Sequence, residues 1–268
     1  MAIEAPLASS PKMRFLYRIY AYRLMRRVRG GPLPKHVGII LDGNRRYARR
    51  KQIDDPRDIY QIGAGKLDEV LAWCAEIGIK AITLWVCSTE NLARPEQEVS
   101  GILRAVETKL SNLADDPWIH RHGIRVRAAG KLDVLPLSTR EAIGAAEAAT
   151  RDYEAMTLTI AVAYGGREEI VDAMRSFLKD QALAGAELGE VAELVTTEAI
   201  GRYVYVPDLP DPDLIIRTSG ETRLSGFLLW QSAYSEFYFC DVFWPAFRKI
   251  DLLRAVRSYQ QRQRRFGR

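Results

Sequence analysis

The chain has 268 residues, of which 47% are hydrophobic and 27% are charged, and its formal net charge is +5. These values are those of an ordinary globular protein that is long enough for one large α/β domain or two small ones. The mild excess of positive charge is compatible with an anionic substrate, an anionic membrane surface or nucleic acid, and it selects none of them.

Cysteine usage and hydropathy bear on the compartment. Cys74, Cys87 and Cys240 form no CxxC motif and no cluster with histidine, which predicts reduced thiols and no zinc site. No run approaches the roughly 18 apolar residues of a membrane-spanning helix, and the N-terminus carries no apolar signal core. We therefore expect a cytoplasmic protein.

The segment 12–29 is basic, and its apolar residues recur at roughly helical spacing: Phe15, Leu16, Ile19, Tyr22 and Leu24. This pattern predicts a basic amphipathic helix that ends at Gly30 and Gly31. Two interpretations remain open. The helix lies on a membrane surface as a peripheral contact, or it packs across the body of the protein with its arginines in water.

A short apolar run, Val37 to Leu41, predicts a buried strand. The residues that follow it are Asp42, Gly43, Asn44, Arg45 and Arg46, at the start of a predicted helix. Free amides at a helix N-terminus and arginines together attract an anion such as phosphate. A carboxylate in the same place is a poor phosphate ligand unless a metal lies between them, and Mg²⁺ binds both. The other interpretation is an ordinary turn followed by a solvated arginine face.

The remaining elements alternate between helix and strand. After a polar stretch at 51–62 that predicts a loop, a helix opens at Gly63 and stops at Gly78, and Pro95 is placed to begin another. Further helices are predicted at 139–155, after Gly166 and at 251–268, with a surface excursion at 179–189. The predicted strands are 37–41, 79–87, 124–129, 157–163, 213–218 and 237–240.

This alternation predicts a single α/β domain with a largely parallel six-stranded sheet and helices on both faces. In such sheets ligands bind beyond the carboxyl ends of the strands. Three polar clusters fall at those ends: 42–46, 88–91 and 217–223. Each is an ordinary loop by itself, but together they predict an anion-binding crevice.

Five stretches carry a resemblance to a known family: HVGIILDGNRRYARR (36–50), STENLARP (88–95), AYGGR (163–167), DLIIRTSGETRLSGFLLWQSAYSEFYF (213–239) and RRFG (264–267). They resemble the cis-prenyltransferases, the undecaprenyl diphosphate synthase family. The N-terminal extension and the DGNRR spelling look most like the actinobacterial short-chain Z-farnesyl diphosphate synthases. The resemblance implies the cis-prenyltransferase fold, with an N-terminal extension, 1–33, and a catalytic domain, 34–268.

The resemblance also implies a reaction. Isopentenyl diphosphate condenses with an allylic diphosphate of the geranyl or farnesyl type, diphosphate is released, and a Z double bond forms. Mg²⁺ is the implied cofactor, and the implied assembly is a homodimer that binds no nucleic acid. By the same resemblance, the apolar segment 224–241 borders the dimer interface, and the tail 264–268 of one subunit reaches the diphosphate site of the other.

Individual roles follow by similarity to the family. Asp42 and Asn91 have catalytic roles: Asp42 engages Mg²⁺ and helps diphosphate to leave, and Asn91 is the position often assigned as the base. Because a neutral amide is a weak base, we expect Asn91 to position the substrate or its diphosphate, which takes the proton. Glu236 matches a second metal carboxylate, with a structural ion pair as the alternative. The implied substrate-binding residues are Gly43, Asn44, Arg45, Arg46, Tyr47, Ser88, Thr89, Glu90, Leu92, Arg94, Arg217, Arg223, Leu224 and Ser225.

Departures from the family's usual pattern concern substrate choice more than reaction type. Leu92 and Tyr47 replace tryptophans, and the histidine of the family's GHxAG motif is missing from residues 61–65. Val86 stands where members with long products usually carry a small alanine, and its stiff, β-branched side chain narrows the expected product tunnel. We therefore favour a product such as Z,E-farnesyl diphosphate, with decaprenyl or undecaprenyl diphosphate as the alternative.

Two interpretations of another class compete. A non-catalytic partner subunit of a prenyltransferase complex keeps the fold and loses active-site residues, whereas this chain retains them. The retained residues are Asp42, Arg46, Arg217, Arg223 and Glu236. A nucleotide- or nucleic-acid-binding protein is disfavoured, because neither phosphate-binding glycine motif occurs in the right context and no aromatic platform accompanies the basic residues.

Overall fold

A computed structural model describes residues 11–262. The helices in this part of the chain are α1 Pro11–Arg29, α2 Asn44–Lys51, α3 Pro56–Ile77, α4 Glu96–Asp115, α5 Pro117–Arg121, α6 Leu137–Thr150, α7 Gly166–Leu183, α8 Leu188–Leu194, α9 Thr197–Gly201 and α10 Lys249–Gln261. The strands are β1 His36–Ile40, β2 Ala81–Trp85, β3 Ile124–Ala129, β4 Met156–Ala161, β5 Leu214–Arg217 and β6 Glu236–Phe239. Short 3-10 turns lie at Thr89–Ala93, Leu132–Val134 and Trp244–Ala246.

The strands form one sheet in the order β3-β4-β2-β1-β5-β6, and every neighbouring pair is parallel. The predicted six-stranded α/β sheet is thus confirmed. Every residue of β1 and β2 is buried, which is why their sequences are continuous apolar runs rather than alternating ones. Because β1 lies near the middle of the sheet, the chain that leaves its carboxyl end enters the centre of that edge.

The predicted loop at 51–62 is wrong over its second half. Helix α3 already begins at Pro56, where Asp55 caps it by accepting a hydrogen bond of 2.8 Å from the backbone N–H of Arg57. Gly63 therefore lies inside the helix. It permits a close approach of Asn44, because a Cβ at this position would lie 2.9 Å from Asn44 Oδ1. Its carbonyl accepts a hydrogen bond of 2.8 Å from Trp244 Nε1.

The other helix boundaries differ less from the predicted ones. The predicted excursion at 179–189 is mostly helical, since α7 continues to Leu183 and α8 begins at Leu188, although both of these leucines are exposed. The C-terminal helix is α10, and the predicted extension of that helix through residues 263–268 lies outside the described residues.

Helix α1 has two different faces. Leu24, Met25 and Val28 are buried in the main core, and Gln260 Nε2 of α10 donates to the Val28 carbonyl at 2.7 Å. Phe15 and Tyr22, in contrast, are exposed. The inward face therefore packs across the body of the protein, and the outward face combines aromatic residues with arginines.

Two of the three hydrophobic cores in the described residues pack against the sheet. The larger core contains buried residues of α3, α4 and α10, and the smaller one is built around Trp85, Tyr164 and Phe227. The rings of Trp85 and Phe227 stack with their centroids 5.5 Å apart. All three cysteines are buried and free, and burial raises the pKa of the Cys74 thiol.

Gly38 in β1 tests how tightly this smaller core is packed. A Cβ added at Gly38 would lie 2.9 Å from Phe227 Cε1 and 3.3 Å from Ile215 Cγ1, so we expect Gly38→Ala to lower the free energy of unfolding by about 1–3 kcal/mol. Gly144→Ala in α6 is the matched control, because among residues 11–262 no atom outside the neighbouring backbone of its own helix lies within 4 Å of its Cβ position. The control should stabilise by about 0.5–1 kcal/mol. Urea unfolding measures the free energy of unfolding of both variants. A Gly38→Ala protein as stable as wild type would contradict the packing argument.

Candidate active site

The end of β1 holds Asp42 in a fixed position. The Asp42 backbone N–H donates to Thr218 Oγ1 at 2.9 Å, and the Thr218 hydroxyl donates to the Asp42 carbonyl at 2.7 Å. The next residue, Gly43, has φ +102°, and a Cβ there would lie 2.7 Å from the Phe243 ring. Only glycine fits this turn, for both conformational and steric reasons. Helix α2 starts immediately afterwards, so Asp42 lies beside the N-terminus of that helix.

Arg217 at the end of β5 pairs with Asp42. Ile40 and Arg217 are register partners of adjacent parallel strands, and Arg217 Nη2 lies 2.8 Å from Asp42 Oδ2. Arg46 Nη2 approaches the other carboxylate oxygen at 3.3 Å. Burial by itself raises the pKa of Asp42, but the hydrogen bond and charge of Arg217, together with the charge of Arg46, outweigh it and hold that pKa below its ordinary value of 3.8.

Arg217 is buried and organises the loop that follows it. Its Nη1 donates to Ser225 Oγ at 2.7 Å and to the Arg223 carbonyl. Ser219 and Ser225 have φ values of +79° and +52°, a region that costs energy for residues other than glycine. Within residues 11–262, the buried Nε of Arg217 finds no hydrogen-bond partner. An unpaired N–H of a buried guanidinium that lines a cavity is a ready donor to an anionic ligand.

A second group of arginines is held by Glu221. Arg46 Nη1 bonds to Glu221 Oε1 at 3.0 Å, and Arg223 bonds to the other carboxylate oxygen. Arg46 Nη2 also donates to Ser219 Oγ at 2.7 Å. The loop that follows β5 thereby orients the Arg46 side chain of α2. Arg223 keeps most of its side chain exposed to solvent.

The turn after β2 supplies the third cluster. The Ser88 N–H donates to Asn91 Oδ1 at 3.2 Å, so the amide oxygen of Asn91 is engaged in capping this turn. Arg94 Nη1 lies 2.8 Å from Glu98 Oε1, which also accepts from the Tyr60 hydroxyl at 3.0 Å. This carboxylate joins α4 to α3 and orients Arg94 towards the other two clusters.

The three predicted clusters meet in one cavity of about 660 Å³ at the carboxyl ends of the strands. Its lining residues are Ile40, Leu41, Asp42, Gly43, Asn44, Arg45, Arg46, Arg49, Tyr60, Trp85, Val86, Cys87, Ser88, Glu90, Asn91, Arg94, Ile102, Arg217, Glu221, Arg223 and Ser225. Six of these residues are arginines and three are carboxylates, so the cavity is net positive.

Four of the predicted substrate-binding residues do not line this cavity: Tyr47, Thr89, Leu92 and Leu224. Leu92 faces a different groove, and Leu224 packs against the smaller core. Tyr47 lies under Lys51, whose ammonium is 5.8 Å from the centroid of its ring. Sequence position within a motif therefore did not specify which side chains face the cavity.

Asp42 and Glu236, the two carboxylates predicted to bind metal, do not meet within one chain. Glu236 begins β6 and is level with Leu214 and Val37, five residues before Asp42. At a rise of about 3.3 Å per residue, Glu236 lies roughly 10 Å below Ile40, where β1 ends, and Asp42 lies beyond that end. Its carboxylate accepts from Arg262 Nη1 at 2.6 Å, which is the structural ion pair that was the alternative.

Among the lining residues with a charged or hydroxyl-bearing side chain, three were not predicted as site residues: Arg49, Tyr60 and Glu221. Arg49 had a signal, because it follows Arg45 by four residues and must share a face of α2 with it. Tyr60 was hidden by the prediction of a loop at 51–62. Glu221 lies inside the 217–223 cluster, but its pairing with two arginines is visible only in three dimensions.

An apolar cavity of about 60 Å³ opens from the first one. The two share Leu41, Asn44, Tyr60, Val86 and Ile102. The second cavity continues between α3 and α4 under the sheet, and its other lining residues are Gly63, Ala64, Leu67, Leu84, Ala105, Val106, Lys109, Ile160 and Trp244. A positively charged chamber thus leads directly into an apolar one.

Comparison with known proteins identifies the family. Residues 40–267 match the family model described as "Putative undecaprenyl diphosphate synthase". The chain belongs to this family of prenyltransferases. The predicted membership is confirmed by curated relatives. An isoprenyl transferase of Deinococcus radiodurans is 53% identical over 249 residues, which cover 92% of this chain and 90% of the relative.

Other relatives of the prenyltransferase differ in their products. The (2Z,6E)-farnesyl diphosphate synthase of Thermobifida fusca is 50% identical and covers 94% of this chain and 97% of its own. The tritrans,polycis-undecaprenyl-diphosphate synthase (geranylgeranyl-diphosphate specific) of Methanopyrus kandleri is 51% identical, and the match covers 94% of this chain and 92% of the relative. Among solved structures, lavandulyl diphosphate synthase from Lavandula x intermedia in complex with dimethylallyl diphosphate gives a TM-score of 0.80 at 32% identity, covering 88% of this chain and 99% of that one.

The ion pair at the base of the cavity predicts a pH dependence of stability. Because the folded-state pKa of Asp42 is depressed, its ionised form stabilises the fold above its unfolded value of 3.8, and this contribution is lost as the pH falls through the lower folded pKa. Asp42→Asn should cost about 1–3 kcal/mol at neutral pH, because it leaves buried Arg217 without its counter-charge. The difference from wild type should shrink below pH 3.8.

Urea unfolding at a series of pH values measures this difference. Asp152→Asn, at an exposed carboxylate, is the control and should match wild type throughout. A difference that is absent at neutral pH, or that does not change below the unfolded pKa, would show that the Asp42–Arg217 pair is not the source of the depressed pKa.

Proposed function

We propose that the chain condenses isopentenyl diphosphate with an allylic diphosphate and extends it by a Z-configured isoprene unit. The observation that carries this proposal is the junction of an arginine-lined cavity with an apolar one. A substrate with a diphosphate head and a hydrocarbon tail fits that junction in one orientation, because bidentate arginines bind the head and the apolar walls bury the tail.

The cavity offers donors for two diphosphates. Near Asp42, the N-terminus of α2 together with Arg45, Arg46 and Arg49 receives the allylic diphosphate. Across the cavity, the buried Nε of Arg217 supports the assignment of the isopentenyl diphosphate site to that residue and its neighbours. Arg223 and Ser225 are those neighbours, and Arg94 completes the ring of donors. The carboxylates that pair with these arginines orient the guanidinium groups before substrate enters.

Mg²⁺ fits this donor set as an ion shared with substrate. No group of three or more metal-ligating side chains occurs among the described residues, so this part of the chain provides no dedicated protein cage. Mg²⁺ is typically held by one or two carboxylates together with substrate phosphates, and Asp42 is the carboxylate at the base of the cavity. When bound there, the ion would neutralise charge on the diphosphate leaving group.

The reaction breaks the C–O bond of the allylic diphosphate, and the leaving diphosphate takes the electron pair. The double bond of isopentenyl diphosphate attacks the allylic carbon, and a proton is lost to give the new double bond. Arg46 and Arg217 stabilise the two diphosphates, and they also hold Asp42 ionised. Asn91 has its amide oxygen engaged by the Ser88 N–H, which supports a positioning role rather than that of a strong base.

Diphosphate release tests the proposal directly. The protein is mixed with isopentenyl diphosphate and dimethylallyl, geranyl or farnesyl diphosphate, with Mg²⁺ or with a chelator. We expect release only when both substrates and the metal are present. Asp42→Asn should lose about a thousandfold in turnover, which corresponds to roughly 4 kcal/mol of barrier. Asp152→Asn should retain wild-type turnover. A protein that binds these diphosphates but never couples them would instead be a non-catalytic subunit.

The product is a short chain such as Z,E-farnesyl diphosphate. The relatives named for farnesyl and undecaprenyl products are almost equally similar to this chain, so overall identity does not choose between them. A long polyprenyl tail would require the walls of the apolar cavity, about 60 Å³ in volume, to move further than a short tail would, which favours the short chain. Val86 supports it as well, because it lies at the junction of the two cavities, where every growing chain must pass.

Val86→Ala should lengthen the product. The substitution removes two methyl groups from the junction, and well-packed walls respond to such small volumes. We expect the main product to grow by one or more isoprene units, as measured by mass spectrometry of the extracted chains. Val171→Ala, at an exposed position on α7, is the control. An unchanged product from an active Val86→Ala protein would remove Val86 from the determinants of length.

A homodimer through β6 is the proposed assembly. This strand lies at the sheet edge, and its last residue, Phe239, is exposed, as is Tyr234 shortly before it. The rings of Phe237 and Phe239 stack along the edge with centroids 6.4 Å apart. Proteins generally cover such open, apolar edges, and a second copy would cover this one. An active monomer in light scattering would reject the dimer. The predicted contribution of the tail 264–268 lies outside the described residues.

The outward face of α1 is proposed to contact an anionic membrane surface from the cytoplasmic side. Phe15 and Tyr22 are 63% and 64% exposed on this face. The arginines that flank them are Arg18, Arg23, Arg26 and Arg27. This combination suits the headgroup region of anionic lipids. None of the described helices is both long and apolar enough to pass through a bilayer. Co-sedimentation that is equally weak with anionic and neutral vesicles would reject the contact.

A further inference from the structure

Lys109 is a charged residue on an otherwise apolar wall. It lies on α4, three residues after Val106 and seven after Ile102, and all three line the apolar cavity. Only 10% of its side chain is exposed. Helical spacing would favour an apolar residue at this position. A buried lysine needs a partner, and the Lys109 ammonium finds one in the carboxylate of Asp68 on α3.

The cavity has a direction, and Lys109 lies at its far end. The mouth is formed by residues shared with the diphosphate chamber, among them Tyr60 of α3 and Ile102 of α4. Further along the same two helices, the walls are Gly63 and Ala64, then Leu67 opposite Lys109. With a rise of 1.5 Å per residue, Lys109 is about 10 Å along α4 from Ile102.

The ion pair closes the space between the two helices at that depth. The side chain of Asp68 is 56% exposed, whereas that of Lys109 is nearly buried. The lysine stem therefore lines the cavity, and the ammonium reaches outward to a carboxylate at the surface, as amphipathic side chains commonly do. Asp68 follows Leu67 directly, so the pair lies next to the deepest apolar residue of α3.

We infer that Lys109, held by Asp68, is a charged floor of the apolar cavity and sets the length at which chain elongation ends. This inference rests on the proposed function. A hydrocarbon chain that grew past the floor would have to displace the lysine stem and separate the ammonium from its partner, and burial of an unpaired charge is strongly unfavourable. Val86 restricts the mouth, whereas Lys109 limits the depth, so the two residues act at different stages of growth.

Lys109→Met tests the charge of the floor, because methionine keeps an unbranched, flexible side chain and removes the ammonium. We expect the product distribution, measured by mass spectrometry with excess isopentenyl diphosphate, to shift by at least one isoprene unit towards longer chains. Lys66→Met is the matched control. Lys66 is also largely buried and pairs with an acidic residue of α3, Glu69, at 2.7 Å, but it does not line the cavity. Its products should equal those of wild type.

Asp68→Ala provides a second, independent test that remains available if Lys109→Met does not fold. Its side chain is exposed, and its removal frees the lysine to turn towards solvent, so the products should again extend to longer chains. If folded, active Lys109→Met makes products of wild-type length, the role of Lys109 as a floor is rejected and the proposed function is left intact. If only Asp68→Ala folds, wild-type product lengths from that variant lead to the same conclusion. A wild-type protein that makes no prenyl product would overturn both.

Discussion

The ion pair between Asp42 and Arg217 is the constraint on which the site depends. β1 and β5 are adjacent and parallel, so their carboxyl ends bring an acidic and a basic residue together at the middle of one sheet edge. A buried guanidinium is tolerated only with partners, and Asp42, Ser225 and a backbone carbonyl supply them. The same contact keeps Asp42 ionised. One interaction therefore both stabilises the middle of this sheet edge and keeps the Asp42 carboxylate ionised.

The other arginines follow the same design with weaker, more exposed partners. Glu221 holds Arg46 and Arg223, and Glu98 holds Arg94. Because the guanidinium groups are already oriented by carboxylates, an entering diphosphate pays little of the entropy that free arginine side chains would lose. The partly exposed pairs contribute little to stability by themselves. Their value lies in the placement of positive charge, which explains why a net positive cavity nevertheless contains several acids.

Much of the fold was predictable because the relevant signals are local. Buried parallel strands are continuous apolar runs, and the polar clusters that end β1, β2 and β5 must meet, since parallel strands share a carboxyl edge. The start of α3 was missed because its first turns lack regular apolar spacing, although Asp55 and Pro56 carry a cap signal. Pairings such as Tyr60 with Glu98 join two helices far apart in sequence, and no local pattern indicates them.

Glu236 is a residue for which motif matching predicted a position that the fold does not allow within one chain. The last strand is predicted to begin at residue 237, directly after Glu236, and a residue at the amino end of a parallel strand lies at the edge opposite to the ligand. Topology alone therefore argued against its joining Asp42, whereas motif similarity argued for it. The structure follows the topology, with Glu236 paired to Arg262. Where a motif and the direction of a strand disagree, the direction is the stronger constraint within one chain.

The two chambers have different physical origins, and this separates head-group recognition from tail length. The charged chamber is fixed by strand ends, whose relative positions are set by the hydrogen-bond register of the sheet. The apolar chamber depends on the spacing of α3 and α4, where Gly63, Ala64 and Ala105 leave room that larger side chains would fill. Side chains on those helices can change volume or charge without moving a single strand. The two helices can therefore alter the apolar chamber while the strand ends keep the charged one, and Val86, at the junction, borders both.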